Sequence, residues 1–556
     1  MKEEQCNMEN IETIKNDTIA LIDRLKAITF NAGLAGGGNE YIILVETFLY
    51  KFLNDKFIFE AKKRKPGLKE AEDEQAFFEK MSEDDYDAMC DCMEDVVELR
   101  RTHLISYLAK FRNEPNFATI FDAALEDIAK SNQAIFFIQN SDKTTEPILR
   151  PIAELINGGT SKKNAFCKSL IEAVAQFSFE SAFSCGYDFF STIFEYLIKD
   201  YNANGGGTYA EYYTPHAVAE IMAKLLVSPD EDVHSVSCYD PSAGTGTLVI
   251  ALAHAIGANN CTVYTQDISD KSSTMLMLNM ILNGFAHSLS HVVHGNTLTE
   301  PFHKSEKDQN SLRKFNYIVS NPPFKLDFSD YQSDLKADPY KGRFFAGIPN
   351  IPNKDRKKME IYLCFFQHLL YSLKDDGKAA IVVPTGFITS KTGIAKKIIQ
   401  HIVDNGWCGG VVSMPSNIFA NTGTNVSVVI IDKKKNPEDA TVLIDASKLG
   451  EDYQEAGLKK HRLTVEEIQY IVDTFRNREM HDDFSVVVSK EEIKEKSYSL
   501  SAGQYFDIKI EYVDITEEEF NKRVADYENT LRAQFEESHQ LESDILKQLQ
   551  NLKFNR

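Results

Sequence analysis

Apolar residues recur at helical spacing from the start of the chain. Ile14, Leu21, Ile22, Leu25 and Ile28 form one set, and Leu44, Phe48 and Phe52 form another after a Gly-rich break at 33–38. Amphipathic stretches continue from about 115 to 200 without strand-like alternation. This pattern predicts an all-α N-terminal domain over 1–180.

The texture changes after Asn202. A loop of three glycines, Gly205–Gly207, opens a region of short, largely apolar runs at 236–239, 261–265, 290–294, 315–320, 378–383, 409–413 and 425–431. Such runs suit parallel strands buried on both faces. Helical segments at 246–257, 270–284, 359–374 and 394–404 separate several of them. Alternation of this kind predicts an α/β fold with a doubly wound sheet over 181–485. Ligands of such sheets bind beyond the carboxyl ends of the strands, so the residues just after each strand become the candidates.

The stretch 436–510 is mixed and weakly patterned. The tail, 486–556, ends in a long helix predicted over 516–553, with Thr516 and Glu519 as a capping box. Phe520, Val524, Tyr527, Leu531, Phe535, Leu541, Ile545, Leu549 and Leu552 recur along it at near-heptad spacing. One helix cannot bury this stripe alone. It docks either on the chain's own N-terminal helices or on another chain.

Composition narrows the function classes. The 556 residues carry 61 Lys+Arg against 83 Asp+Glu, a net charge of −22, which argues against a free-standing nucleic-acid binder. The acidity is uneven. Residues 66–100 hold 13 acidic and 3 basic side chains, whereas 205–435 hold 21 acidic and 22 basic. The region with strand–helix alternation is therefore nearly neutral, and a partner would supply much of any DNA affinity. The 9 cysteines lack CxxC pairs and read as free thiols of a reducing compartment, with no metal site. The acidic N-terminus has no signal-peptide core, and no apolar run reaches the roughly 20 residues of a membrane span. A soluble cytoplasmic protein is expected. Glu60 and Lys62 could be read as a nuclease fragment, but their helical context and the lack of a preceding catalytic Asp argue against it.

Four segments carry candidate chemistry. In Tyr239–Leu248 (YDPSAGTGTL), a strand ends at Asp240 and a tight Gly244-Thr245-Gly246 turn opens a helix whose free amides suit an anionic group. Asp267, in TQDIS, ends the next strand where a ribose hydroxyl would be held. Asn321-Pro322-Pro323-Phe324 follows the strand 315–320. The prolines stiffen the loop and remove two donors, leaving carbonyls free. Asn321 adds an acceptor and Phe324 a flat face, a set suited to an exocyclic amine on a planar ring. Upstream, in AEYYTP, Thr214 is placed to cap a helix with Pro215 at its first position, and Tyr212 and Tyr213 could pack on a cofactor.

In this order the segments resemble the methylation subunits of type I restriction–modification systems, N6-adenine DNA methyltransferases with a Rossmann-like sheet. AEYYTP is similar to that family's first cofactor motif, DPSAGTG to its methionine-binding loop and NPPF to its catalytic tetrapeptide. GKAAIVVPTGFI at 377–388, MPSNIFANTGTNVSVVIIDKKK at 414–435, and segments at 39–57 and 498–506 extend the match. The resemblance implies S-adenosylmethionine bound by Glu211, Tyr212, Tyr213, Thr214, Pro215, Asp240, Ser242, Ala243, Gly244, Thr245, Gly246, Asp267 and Asn296. It implies Asn321, Pro322, Pro323 and Phe324 as the catalytic set acting on an adenine flipped out of double-stranded DNA. It also implies a separate specificity subunit, two methylation subunits to one, and leaves room for a restriction subunit. Three positions depart from the pattern: Glu211 replaces Gln, Asn296 replaces an acid, and 359–368 is bulkier. Similar loops occur in smaller methyltransferases acting on release-factor glutamine or ribosomal guanine, which lack the Thr-Pro motif. A catalytically idle subunit of a phage-defence complex is a further alternative.

Overall fold

Each apolar run singled out above forms a strand. The computed structural model describes residues 8–34, 38–93, 96–184, 214–419, 425–455, 458–506 and 516–551. The strands are β3 (Val236–Asp240), β4 (Cys261–Asp267), β5 (Val292–His294), β6 (Phe315–Ser320), β7 (Leu373–Pro384), β8 (Cys408–Ser413) and β9 (Val426–Asp432). Burial on both faces explains their composition. In β9 all residues but the last are buried, which leaves no place for polar alternation.

The central order is β5-β4-β3-β6-β7-β9-β8. Strands β3 to β7 pair in parallel, and β9 runs antiparallel between β7 and β8. The chain leaves β3 toward β4 and β5, then returns to place β6 on the other side of β3. That reversal makes a switch point between β3 and β6, where doubly wound sheets bind ligands. Helices His216–Leu226 and Thr247–Ile256 pack together over the strands; Asp270–Leu282 packs on β4 and β5, Tyr362–Ser372 on β7, and Gly393–Asp404 against Tyr362–Ser372.

The sheet extends beyond the predicted strands at both edges. Among its described residues the N-terminal region is helical as expected, except for a hairpin of β1 (Phe137–Asn140) and β2 (Thr145–Pro147), which corrects the all-α expectation there. β1 pairs in parallel with β5, placing N-terminal residues in the catalytic sheet. At the other edge the weakly patterned stretch supplies β10 (Thr441–Asp445), parallel to β8, and the antiparallel β13 (Ser485–Val488). Between them lie a small hairpin, β11 (Glu451–Glu455) with β12 (Leu458–Arg462), and a helix, Val465–Asn477.

The N-terminal helices meet around Gly38–Arg64. Phe48 and Phe52 pack edge-on against Phe179 and Phe183, with Phe48 and Phe179 centroids 5.2 Å apart. Polar groups buried among them are paired. Lys51 Nζ meets Asp55 Oδ1 at 2.7 Å, and Phe179 N donates to Asp55 Oδ2 at 2.8 Å. Lys62 bonds Glu74 and Glu180, and Glu60 pairs with Lys56 and Lys63, so both residues belong to helix-surface ion pairs.

Contacts divide the chain into two units, Met1–Tyr505 and Phe506–Arg556. The second is the helix Glu517–Asn551. Its capping box is half made. Glu519 N donates to Thr516 Oγ1 at 3.3 Å, while the Glu519 carboxylate turns forward to Arg523 at 2.9 Å. Among the described residues of this unit, the apolar stripe from Phe520 to Leu549 is 46–68% exposed. Leu552 lies outside the described residues. Among those described, no helix is long and apolar enough to cross a membrane.

Candidate active site

The carboxyl ends of β3, β4 and β6 bring three of the four candidate segments together. Asp240 ends β3 almost fully buried. Its Oδ1 accepts from Ser242 N at 2.9 Å, which tightens the turn that follows. Burial, reinforced by the neighbouring Asp267 charge, pushes the Asp240 carboxyl up to about 8 despite the Ser242 bonds.

The glycines that follow are dictated by geometry. Gly244 and Gly246 have φ of 51° and 84°. A Cβ on Gly246 would lie 2.1 Å from Leu276 Cδ1. Asp267 braces this turn from β4. Its Oδ2 accepts from Gly244 N and its Oδ1 from Ser269 N, both at 2.8 Å. Asn279 Nδ2 donates to Thr245 O at 3.0 Å from the other side.

Thr214 differs from its expected role. Pro215, not Thr214, occupies the N-cap of the helix His216–Leu226. The Thr214 hydroxyl instead accepts from Asn321 Nδ2 at 3.0 Å. This bond fixes the amide plane and leaves Oδ1 without a donor among the described residues. The hydroxyls of Ser242 and Ser320 meet at 2.8 Å and tie the turn after β3 to the end of β6.

Two cavities open here, and Asn321 forms part of the wall of both. The smaller cleft is lined by Thr214, Asp240, Ser242, Ala243, Thr245, Thr247, Leu248 and Asn321. This cleft holds only about 10 Å³, space for one water, but its hydroxyls, buried carboxyl and helix N-terminus supply both acceptors and donors. The larger cavity, about 1160 Å³, contains Asn321, Pro322, Pro323 and Phe324. Aromatic rings line it in series: Phe324 lies 6.2 Å from Tyr362, and Tyr362 lies 6.1 Å from Phe387, both edge-on.

Sequence reasoning gave no role to Tyr362, Phe387 or Phe419, which line this larger cavity. All three sit in segments marked by resemblance alone, and their convergence depends on strand order. Asn296, just past β5, has its Oδ1 occupied by Leu298 N at 3.0 Å, and it is not a wall residue of either cavity. Glu211, Tyr212 and Tyr213 lie outside the described residues.

Comparison with known proteins places the chain in a family. The family model for the N-6 DNA Methylase matches residues 185–529, more than half of the chain. The chain belongs to this family. Among curated relatives of this N-6 DNA methylase, the type I restriction enzyme MpnII methylase subunit of Mycoplasma pneumoniae is 28% identical over 349 residues, 62% of each chain. The HindI methylase subunit of Haemophilus influenzae is 24% identical over 381 residues, 66% of this chain and 78% of its own. For the MpnII subunit, and for the MjaIX subunit of Methanocaldococcus jannaschii at 64%, the chain spans less than two thirds of the relative's length. The type I methyltransferase subunit of Streptococcus thermophilus shares the fold, with a TM-score of 0.68 at 21% identity over 89% of this chain and 100% of its own.

Proposed function

We propose that the chain is the modification subunit of a type I restriction–modification assembly and methylates adenine N6 in double-stranded DNA. The observation that carries this reading is Asn321, shared by the wall of the polar cleft beside the Gly-rich turn and by the aromatic-lined cavity. S-adenosylmethionine supplies a methyl group on a sulfonium, an electrophile that needs only a nitrogen lone pair aligned with it.

The chain's residues prepare that nitrogen. An adenine flipped from the duplex enters the larger cavity. Asn321 Oδ1 and the Pro322 carbonyl accept hydrogen bonds from its amino group, drawing the lone pair out of the ring. Phe324 holds the base by its face. Alignment of nitrogen and methyl group supplies much of the rate. The amine becomes acidic only after it is alkylated, so no base need act before transfer.

The near-neutral catalytic region lacks the basic excess for tight DNA binding alone, so a specificity subunit reads the target. Two methylation subunits pair with one such partner, a restriction subunit can join them, and the assembly works in the cytoplasm. The division 1–180, 181–485 and 486–556 then marks a mainly helical region that lends β1 to the sheet, a catalytic region, and a tail whose own unit starts at Phe506.

Methylome sequencing of a host with and without the chain tests the reading, together with tritiated-methyl transfer by Asn321→Ala. We expect one modified adenine motif, lost in the variant while calorimetry still shows cofactor binding. Full activity of Asn321→Ala would remove the mechanism, and an unchanged methylome with no cofactor binding would favour an idle subunit.

A further inference from the structure

A rigid, exposed segment stands at the mouth of the larger cavity. Ile348 anchors its first end against a cluster that includes Phe328, Leu335 and Met359. Buried Gln332 donates from Nε2 to Pro349 O at 2.6 Å. At the other end, Leu326 N donates to Met359 O at 3.0 Å, fastening the segment to the loop after Phe324. Between these anchors Pro349 and Pro352 bracket Asn350 and Ile351, fixing φ on both sides. Pro349, Asn350 and Pro352 line the cavity, and Ile351 remains 40% exposed beside them. A single exposed isoleucine is ordinary. One held on a braced tip next to a cavity with ample room for a base is placed for contact.

Cations follow immediately. Lys354 and Lys358 line the same cavity, and Lys357 is exposed on the turn Arg356–Lys358. Among the described residues Lys354 and Lys357 form no salt bridge, though hydrogen bonds from Ser329, helped by the Lys357 charge, hold the exposed Asp327 carboxyl below its usual range. Lys358 meets Asp355 at 2.9 Å in a pair so exposed that it contributes little and can exchange for phosphate. Asp355 and Glu360 are the acids of the cavity wall, against Lys325, Lys354 and Lys358.

We propose that 348–358 grips the duplex around the reacting adenine. Ile351 enters the gap that the flipped base leaves in the stack, and Lys354, Lys357 and Lys358 meet flanking phosphates. Apolar wedges beside cations are a chemistry that fits an unstacked step in a polyanion. This inference rests on DNA being the substrate.

The test uses the chain in complex with its specificity subunit and plasmid DNA from a host lacking the system. For Lys354→Ala with Lys357→Ala, the slope of log KM for DNA against log salt should flatten by about 1.8, with cofactor affinity unchanged. Ile351→Ala should lower kcat about tenfold on intact duplex and recover on a duplex whose target adenine faces an abasic position, because that base is already unpaired. An unchanged salt slope, or wild-type kcat in Ile351→Ala, overturns the inference alone. A wild-type complex that methylates no DNA overturns both it and the reading on which it rests.

Discussion

The Thr214 hydroxyl accepts a hydrogen bond from Asn321 Nδ2 at 3.0 Å, joining two residues 107 positions apart. It makes Thr214 a positioning residue for the amide that faces the substrate cavity. Thr214→Val should lower kcat for methyl transfer about tenfold, the loss of one hydrogen bond at a preorganised group, while KM for DNA stays within twofold. Thr214→Ser should restore it. A steady-state tritium-transfer assay of the three proteins gives the answer.

Asp240 ties stability and binding to pH. Its folded-state value of about 8 lies above the 3.8 of an exposed aspartate. The sign follows: the folded form holds the proton, so this contribution to stability is complete below about pH 4 and is lost as pH rises through about 8. Asp240→Asn should flatten the decline of Tm across that window. A cationic ligand favours the carboxylate instead, so S-adenosylmethionine should bind more tightly as pH rises from 6 to 8, and less so in the variant. Calorimetry across this range checks both.

Gly246→Ala tests whether the turn after β3 tolerates a side chain. The new Cβ meets Leu276 at 2.1 Å on a backbone with φ of 84°. Overpacking and left-handed strain together should cost about 2–4 kcal/mol in urea unfolding. Gly503→Ala, with open space around it, should cost under about 1 kcal/mol and serves as the control.

The exposed stripe of Glu517–Asn551 predicts an assembly surface. Removing 511–556 should abolish co-purification with a specificity subunit while leaving the Tm response to S-adenosylmethionine intact. A truncated chain that still co-purifies would assign the surface elsewhere.

Much of the sheet was legible because a strand buried on both faces is largely apolar, as the fully buried stretches Ala379–Val383 of β7 and Val426–Ile431 of β9 are. The Gly-rich turn was legible because its constraint is local. β2 was not: three residues, Thr145–Pro147, mostly exposed, carry no periodic signal. β10 and β13 were missed because each is a run of only four or five residues set in a mixed, charged stretch. The site was legible as separate segments but not as a constellation. Thr214 reads as a helix cap because its neighbours are helical, and only strand order brings Asn321 within reach of its hydroxyl. Tyr362, Phe387 and Phe419 drew no role for the same reason: they lie far apart in sequence and meet only around the folded cavity.

The pairing of β1 with β5 has a consequence for synthesis. β1 leaves the ribosome some 150 residues before β5, and until β5 arrives its backbone amides and carbonyls have no parallel neighbour. This edge of the sheet therefore closes late, through a contact of high sequence separation that is slow to form. A graft that exchanges the first 180 residues between relatives would break a ladder rather than cut a linker, exposing a raw strand edge to aggregation.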